Sequence, residues 1–215
     1  MKKKLALTIV LIIVLFAAII YCIQPVEKFK EASTEQISLK ELMKEKILDS
    51  ITGMLTNSSK EFQFELSEND MNNIISGNMD KLKSKKIDSV HCAIQNGEVY
   101  FYADTKLLSL FPAQLILKTD FTVTDNALQV KINKAYMGRI PVLKSVVMDY
   151  LKNKIDKANI EEESSLISIP LTLPEAVTIE DFQITDKITF KIAVSIKSLS
   201  EVIEIVEFFG GKLMK

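Results

Sequence analysis

The stretch IDSVHCAIQNGEVYFYADTKL, residues 87–107, contains two alternating apolar runs separated by Asn96-Gly97. Asn-Gly is favoured in two-residue hairpin turns, because both positions of the turn take a positive φ. The stretch therefore predicts an antiparallel hairpin with strands at 87–94 and 99–107.

The sequence on either side of this hairpin predicts further strands and four helices outside the N-terminal region. Alternation of apolar and polar residues predicts strands at 62–66, 114–124, 127–137, 166–171, 177–184 and 187–196. Helical spacing of apolar residues predicts helices at 38–55, 67–79, 142–155 and 198–209. Ser67 and Asp70 have capping-box spacing at the start of the second helix. Pro141 is predicted to lie in the first turn of the third helix, where proline is tolerated.

The N-terminus combines three lysines, Lys2 to Lys4, with the uncharged run 5–23. A helix of that length rises about 28 Å, close to the roughly 30 Å hydrocarbon core of a bilayer. The sequence therefore predicts an uncleaved signal anchor at 1–23, a tether at 24–37 and a domain at 38–215. The lysines place the N-terminus in the cytoplasm and the domain outside it, in a single-pass protein of the cell membrane. A cleaved signal peptide and a lipidated Cys22 are the alternatives.

The predicted fold class is therefore α+β. A transmembrane helix precedes a curved, mostly antiparallel sheet that is wrapped on amphipathic helices. Cys22 lies inside the predicted span and Cys92 is alone in the domain, so the domain has no intramolecular disulfide. Its stability must come from an apolar core.

Composition excludes several classes of function. The basic residues are 26 lysines and Arg139, without the clustered arginines typical of nucleic-acid readers. No phosphate-binding loop, zinc-protease, serine-hydrolase or EF-hand motif is present. His91 and Cys92 are neighbours on a predicted strand, so their side chains point to opposite faces and cannot easily share a metal ion. We expect no catalytic residue, metal or cofactor; carboxylate pairs for sugar hydrolysis stay open, because such pairing is spatial.

Two of the predicted helices are apolar enough to line a ligand site. In the first interpretation their side chains, and several methionines, pack into a filled core; in the second they line a groove for an apolar ligand. The candidate lining residues are Val146, Tyr150, Leu151, Ile155, Ile203, Val206 and Phe209.

The run FELSENDMNNII, residues 64–75, followed by MGRIP at 137–141 and the paired segments 177–179 and 188–190, resembles the YpmS-like family. Members of that family are membrane-anchored proteins of Gram-positive bacteria. The resemblance spans roughly 1–197 and rests on order and hydrophobic pattern. It also extends to the wider tubular lipid-binding architecture, in which a curved sheet wraps a long helix. The resemblance implies no catalytic residues.

Two functions follow as the leading hypotheses. The first is a membrane-anchored extracytoplasmic binding module for a lipid or other apolar ligand, without catalysis. The second is a structural or interaction subunit of a cell-envelope assembly, with a protein partner and a solid core. An enzyme is a third hypothesis, and it would require a cleft with convergent carboxylates whose pKa values are shifted.

Overall fold

The computed structural model describes residues 2–29, 61–84, 86–124, 127–152, 159–171, 173 and 175–195. Its helices are α1 (Lys2–Ile23), α2 (Glu68–Ser76), α3 (Met79–Lys83) and α4 (Lys144–Lys152). Its strands are β1 (Glu61–Leu66), β2 (Ile87–Gln95), β3 (Glu98–Leu107), β4 (Phe111–Thr124), β5 (Ala127–Met137), β6 (Ile140–Pro141), β7 (Asn159–Glu161), β8 (Leu166–Pro170), β9 (Val177–Ile184) and β10 (Ile188–Val194). The helices predicted at 38–55 and 198–209 lie outside the described residues.

The strands form two antiparallel sheets. The large sheet has the order β2-β3-β4-β5-β8-β7, with β6 paired to β5, and the small sheet has the order β1-β10-β9. The first four strands of the large sheet follow one another along the chain. The small sheet joins β1 to a hairpin more than a hundred residues later.

Local signals in the sequence account for these elements. Asn96 and Gly97 take φ of +54° and +76°, and the predicted hairpin turn is confirmed. The predicted cap of α2 is also confirmed: Ser67 Oγ accepts from the amide of Asp70, and the Asp70 carboxylate accepts from the amide of Ser67. Both features depend on residues three or fewer positions apart, so neither needs the rest of the fold.

The predicted fold class is wrong in its arrangement of helices. The structure is mostly antiparallel sheet. Helices α2 and α3 have 9 and 5 residues and contact β2 at the edge of the large sheet, instead of forming a centre on which the sheet is wrapped. Helix α4 begins at Lys144, two residues after the predicted start, and residues 153–155 of the predicted helix lie outside the described residues. Pro141 also lies in β6 and not in a helix, because the amide of Val142 donates to Ala135 O at 2.9 Å and continues the strand.

The predicted transmembrane anchor is also contradicted. In the part of the chain for which the structure gives positions, no helix has both the length and the apolar character needed to cross a membrane. The last turn of α1 is instead attached to the large sheet. The amide of Arg139 donates to Cys22 O at 2.7 Å, its guanidinium donates to Tyr21 O, and Ile23 is buried. The predicted single-pass localisation at the cell membrane, with a cytoplasmic N-terminus, is therefore not supported.

Three apolar clusters form the core of the described part of the chain, and all of them involve the large sheet; the smallest consists of Ala93, Tyr102 and Ile116. The first lies between the large sheet, the small sheet and α2, and its buried residues are Phe64, Leu66, Cys92, Val99, Ala176, Val177, Ile188, Ile192 and Val194. The second lies under α4, and its buried residues are Ile132, Ala135, Val147, Met148 and Ile167. The pocket described below adjoins the cluster under α4, which contains Val147 and packs against Leu115 and Val142.

Helix α2 covers the free edge of β2. The side chain of buried Asn72 accepts from the amide of Cys92 at 2.7 Å and donates to the carbonyl of the same residue at 2.8 Å. One turn earlier, the Glu68 carboxylate accepts from the amide of Ile94 at 3.0 Å. These side chains take the hydrogen-bonding positions that a further strand would use.

Candidate functional site

An open pocket of about 290 Å³ lies between α4 and the large sheet. Its lining is almost entirely apolar. The lining residues are Ile87, Ala103, Thr105, Leu115, Met137, Val142, Val146, Val147 and Tyr150. Ligand pockets in proteins typically measure about 300–1,000 Å³, so this one suits a small apolar ligand or a single acyl chain.

The floor of the pocket is set by the register of the sheet. Ala103 pairs with Leu115, and Leu115 pairs with Met137, so the three side chains lie in a row on one face. Thr105 is on the same face of β3, two residues after Ala103, and pairs with Ile87. Ala103 has the smallest side chain of the three, at the β3 end of this row.

The roof of the pocket comes from α4 and the residues before it. Val146 and Tyr150 are one turn apart and share a face of the helix, while Val147 is buried in the cluster beneath. Val146 is 57% exposed although it lines the pocket. A valine that is open to solvent beside an apolar cavity gains burial when a ligand occupies the cavity.

Polar chemistry on the pocket wall is limited. The Thr105 hydroxyl donates to Lys86 O at 2.8 Å, so this group is satisfied within the protein. The remaining side chains contributed by the strands are aliphatic or thioether groups. Binding at this site would therefore draw on burial of apolar surface and on shape, more than on directed hydrogen bonds.

The structure describes three of the seven residues predicted to line a ligand site. Val146 and Tyr150 line the pocket, and Leu151 packs on the buried cluster beside it. Ile155, Ile203, Val206 and Phe209 lie outside the described residues. Sequence reasoning missed the contribution of the sheet, from Ile87, Ala103, Thr105, Leu115 and Met137. The alternation within each strand showed which residues share a face, but the row across strands requires the pairing register.

The opposite face of the large sheet holds the segment that follows α1. Gln114, fully buried, accepts from the amides of Val26 and Glu27 through Oε1 and donates to Glu27 O through Nε2. Its Nε2 also donates to the Asp104 carboxylate at 2.9 Å. Residues 26–29, which fall in the predicted tether, therefore lie against the sheet, and we refer to them as the strap.

His91 and Cys92 have no arrangement suited to catalysis. The His91 ring stacks on Phe29 of the strap with centroids 3.7 Å apart, and its Nε2 lies 3.9 Å from a carboxylate oxygen of Glu68. Burial raises the pKa of the Cys92 thiol to about 12, so the sulfur stays protonated and unreactive near neutral pH. Among the residues with described positions, no three His, Cys, Asp or Glu side chains come together as a metal site.

The His91 environment predicts a pH dependence of stability. Burial lowers the pKa of His91 below its usual 6.5, although Glu68 opposes the shift. The unfolded chain then binds the proton more readily, so the contribution of neutral His91 is complete above about pH 6.5 and is lost as the pH falls through the folded pKa. We expect the stability advantage of the wild type over His91→Gln to shrink between about pH 7.5 and pH 5 in urea denaturation. Parallel pH profiles of the two proteins would contradict this.

Comparisons of the chain with models of protein families, with curated proteins and with solved structures gave no match. The resemblance to the YpmS-like family therefore stays a prediction, and the function is inferred from the geometry of the pocket.

Proposed function

We propose that this chain is a binding module that holds an apolar ligand, such as the acyl chain of a lipid, in the pocket under α4, without catalysis. The observation that carries the proposal is the open volume of about 290 Å³ with an almost entirely apolar wall. Apolar cavities in proteins, including an enclosed one of about 150 Å³, bind small hydrocarbon molecules. A ligand there would cover the exposed side of Val146 and the floor around Ala103.

The size of the pocket argues for one apolar group at a time. At about 290 Å³ the volume lies just below the usual range for small-molecule sites. A lipid with two acyl chains would place one chain inside and leave the other, with the head group, at the mouth. Each buried methylene group contributes about 0.8 kcal/mol, so affinity should rise with chain length until the pocket is full.

Substitution of Val146 by aspartate tests the site directly. The carboxylate stays hydrated in the empty protein because this position is exposed, but a ligand that covers it would have to desolvate the charge, which costs far more than the valine contact is worth. We expect Val146→Asp to bind the fluorescent probe N-phenyl-1-naphthylamine at least tenfold more weakly than the wild type, about 1.4 kcal/mol, in a titration of the full chain.

Leu143 provides the matched control, because it is exposed one turn before Val146 and does not line the pocket. Leu143→Asp introduces the same charge and should leave probe binding unchanged. Equal binding by Val146→Asp and the wild type, with both folded, would remove the pocket from consideration. No probe binding by the wild type would favour an interaction subunit with a filled core.

A second variant tests volume without charge. Ala103→Phe would place an aromatic ring on the pocket floor beside Leu115, where the pocket offers apolar contact. We expect probe binding to be lost while the midpoint of urea denaturation is kept or raised. Native mass spectrometry with organic extraction of the wild type would then identify the class of any lipid that purifies with it.

A further inference from the structure

The loop between β3 and β4 presents leucine side chains to solvent. Leu108 and Leu110 are 74% and 75% exposed, and Leu107, beside them, is also exposed. We refer to residues 107–110 as the hairpin tip. A tight turn of a sheet normally carries glycine, asparagine or aspartate, which are soluble and tolerate the turn geometry. The hairpin tip instead places large apolar groups at its most projecting point.

The backbone of the hairpin tip holds these leucines outward. Leu108 and Ser109 have φ of +51° and +61°, in the left-handed region that residues with side chains seldom adopt. The amide of Leu110 donates to Leu107 O at 3.1 Å and closes the turn. A strained turn that exposes apolar groups is unfavourable for the isolated protein, and such features concentrate at functional positions.

The surroundings of the hairpin tip are apolar and basic. Phe111, which follows it, meets Phe16 of α1 edge to face with centroids 5.9 Å apart. Lys106 immediately precedes the tip and is exposed. Asp104, the nearest acidic residue before the tip along the chain, already accepts hydrogen bonds from Gln114 and Ser89. Cations behind a projecting apolar group complement a surface of anionic head groups over acyl chains.

We propose that the hairpin tip docks on the surface of a lipid bilayer that carries anionic head groups, with Leu108 and Leu110 inserted and Lys106 at the head-group level. This is a peripheral contact and needs no helix that crosses the bilayer. Exposed apolar side chains of α1, such as Leu15 and Phe16, adjoin the hairpin tip through Phe111, so the tip is part of a larger apolar surface. Insertion into lipid requires only a few apolar side chains and a basic border.

The absence of tryptophan from the chain makes a specific test possible. In Leu110→Trp, the single tryptophan reports on the hairpin tip within the full chain. With vesicles of phosphatidylcholine and phosphatidylglycerol in equal amounts, we expect its emission to shift to the blue. Brominated lipids in the same vesicles should quench most of it. Leu108→Asp in the same variant should abolish both effects.

Gln95→Trp is the matched control. Gln95 is exposed and pairs with Glu98, so it lies at the other end of β3, about 30 Å from the hairpin tip. The emission of Gln95→Trp should change little with these vesicles, whether or not they contain brominated lipids. If the chain binds to the vesicles but the Leu110→Trp emission is neither shifted nor quenched, the proposal is overturned, because another part of the chain then contacts the lipid. If the blue shift occurs in the absence of vesicles and grows with protein concentration, the proposal is also overturned, because the hairpin tip then contacts a second copy of the chain.

Discussion

Alanine at position 138 is expected to destabilise the protein by about 3 kcal/mol, because two separate costs combine there. Gly138 has φ of +58°, a conformation that alanine adopts with strain. A Cβ atom at this position would also lie 2.6 Å from the carbonyl carbon and 2.7 Å from the Cα of Ile23, and still closer to the carbonyl oxygen of Cys22. These are backbone atoms at the end of α1, which cannot rotate away as a flexible side chain can.

Gly97→Ala separates the two costs of the Gly138 substitution. Gly97 also has a positive φ, of +76°, but a Cβ there meets only Ile184 O, at 3.2 Å. We expect a loss of about 1 kcal/mol for Gly97→Ala and a clearly larger loss for Gly138→Ala in urea denaturation followed by circular dichroism. Equal losses in the two variants would show that the approach of α1 to the turn at Gly138 contributes nothing to stability.

The second large effect is expected at Asn72, whose replacement by leucine should cost about 2–4 kcal/mol. The Asn72 amide group is the partner of both the N–H and the C=O of Cys92, and all of these atoms are buried. Leucine has a similar size but no polar atoms, so both backbone groups would lose their partner without access to water. The cost comes from these unsatisfied groups and not from an empty volume.

Asn69→Leu is the control for Asn72, since Asn69 is exposed on the same helix. Its effect on the free energy of unfolding should stay within about 0.5 kcal/mol. Hydrogen exchange gives a second readout, because the amide of Cys92 should exchange faster in Asn72→Leu while amides inside β3 keep their protection. A stability loss without faster exchange at Cys92 would contradict the role given to the side-chain bridge.

How far the sequence predicts this fold depends on how local each feature is. The turn at Asn96-Gly97 and the cap at Ser67 depend on neighbouring residues, and both predictions are confirmed. The transmembrane prediction rested on counting uncharged residues. It took no account of the contacts that attach the end of α1 to Arg139 and the sheet.

The candidate site was only partly predictable for the same reason. Val146 and Tyr150 follow helical spacing within one segment, so the sequence alone put them on one face. Ala103, Leu115 and Met137 come from three strands, and their alignment is a property of the pairing register. Gln114 gave no local signal, since the strap atoms it binds are 87 and 88 positions away in the chain.

The pairing of β1 with β10 has a consequence for the order of folding. Glu61 pairs with Ala193, so this contact closes a loop of more than 130 residues. Chain entropy makes such a closure cost on the order of 4 kcal/mol, whereas the hairpin of β2 and β3 closes over two residues. We expect the meander from β2 to β5 to form first and to provide the surface on which β1 and β10 meet. The rate-limiting step of folding would then be the meeting of β1 with β10, so substitutions in the small sheet would slow folding more than they speed unfolding.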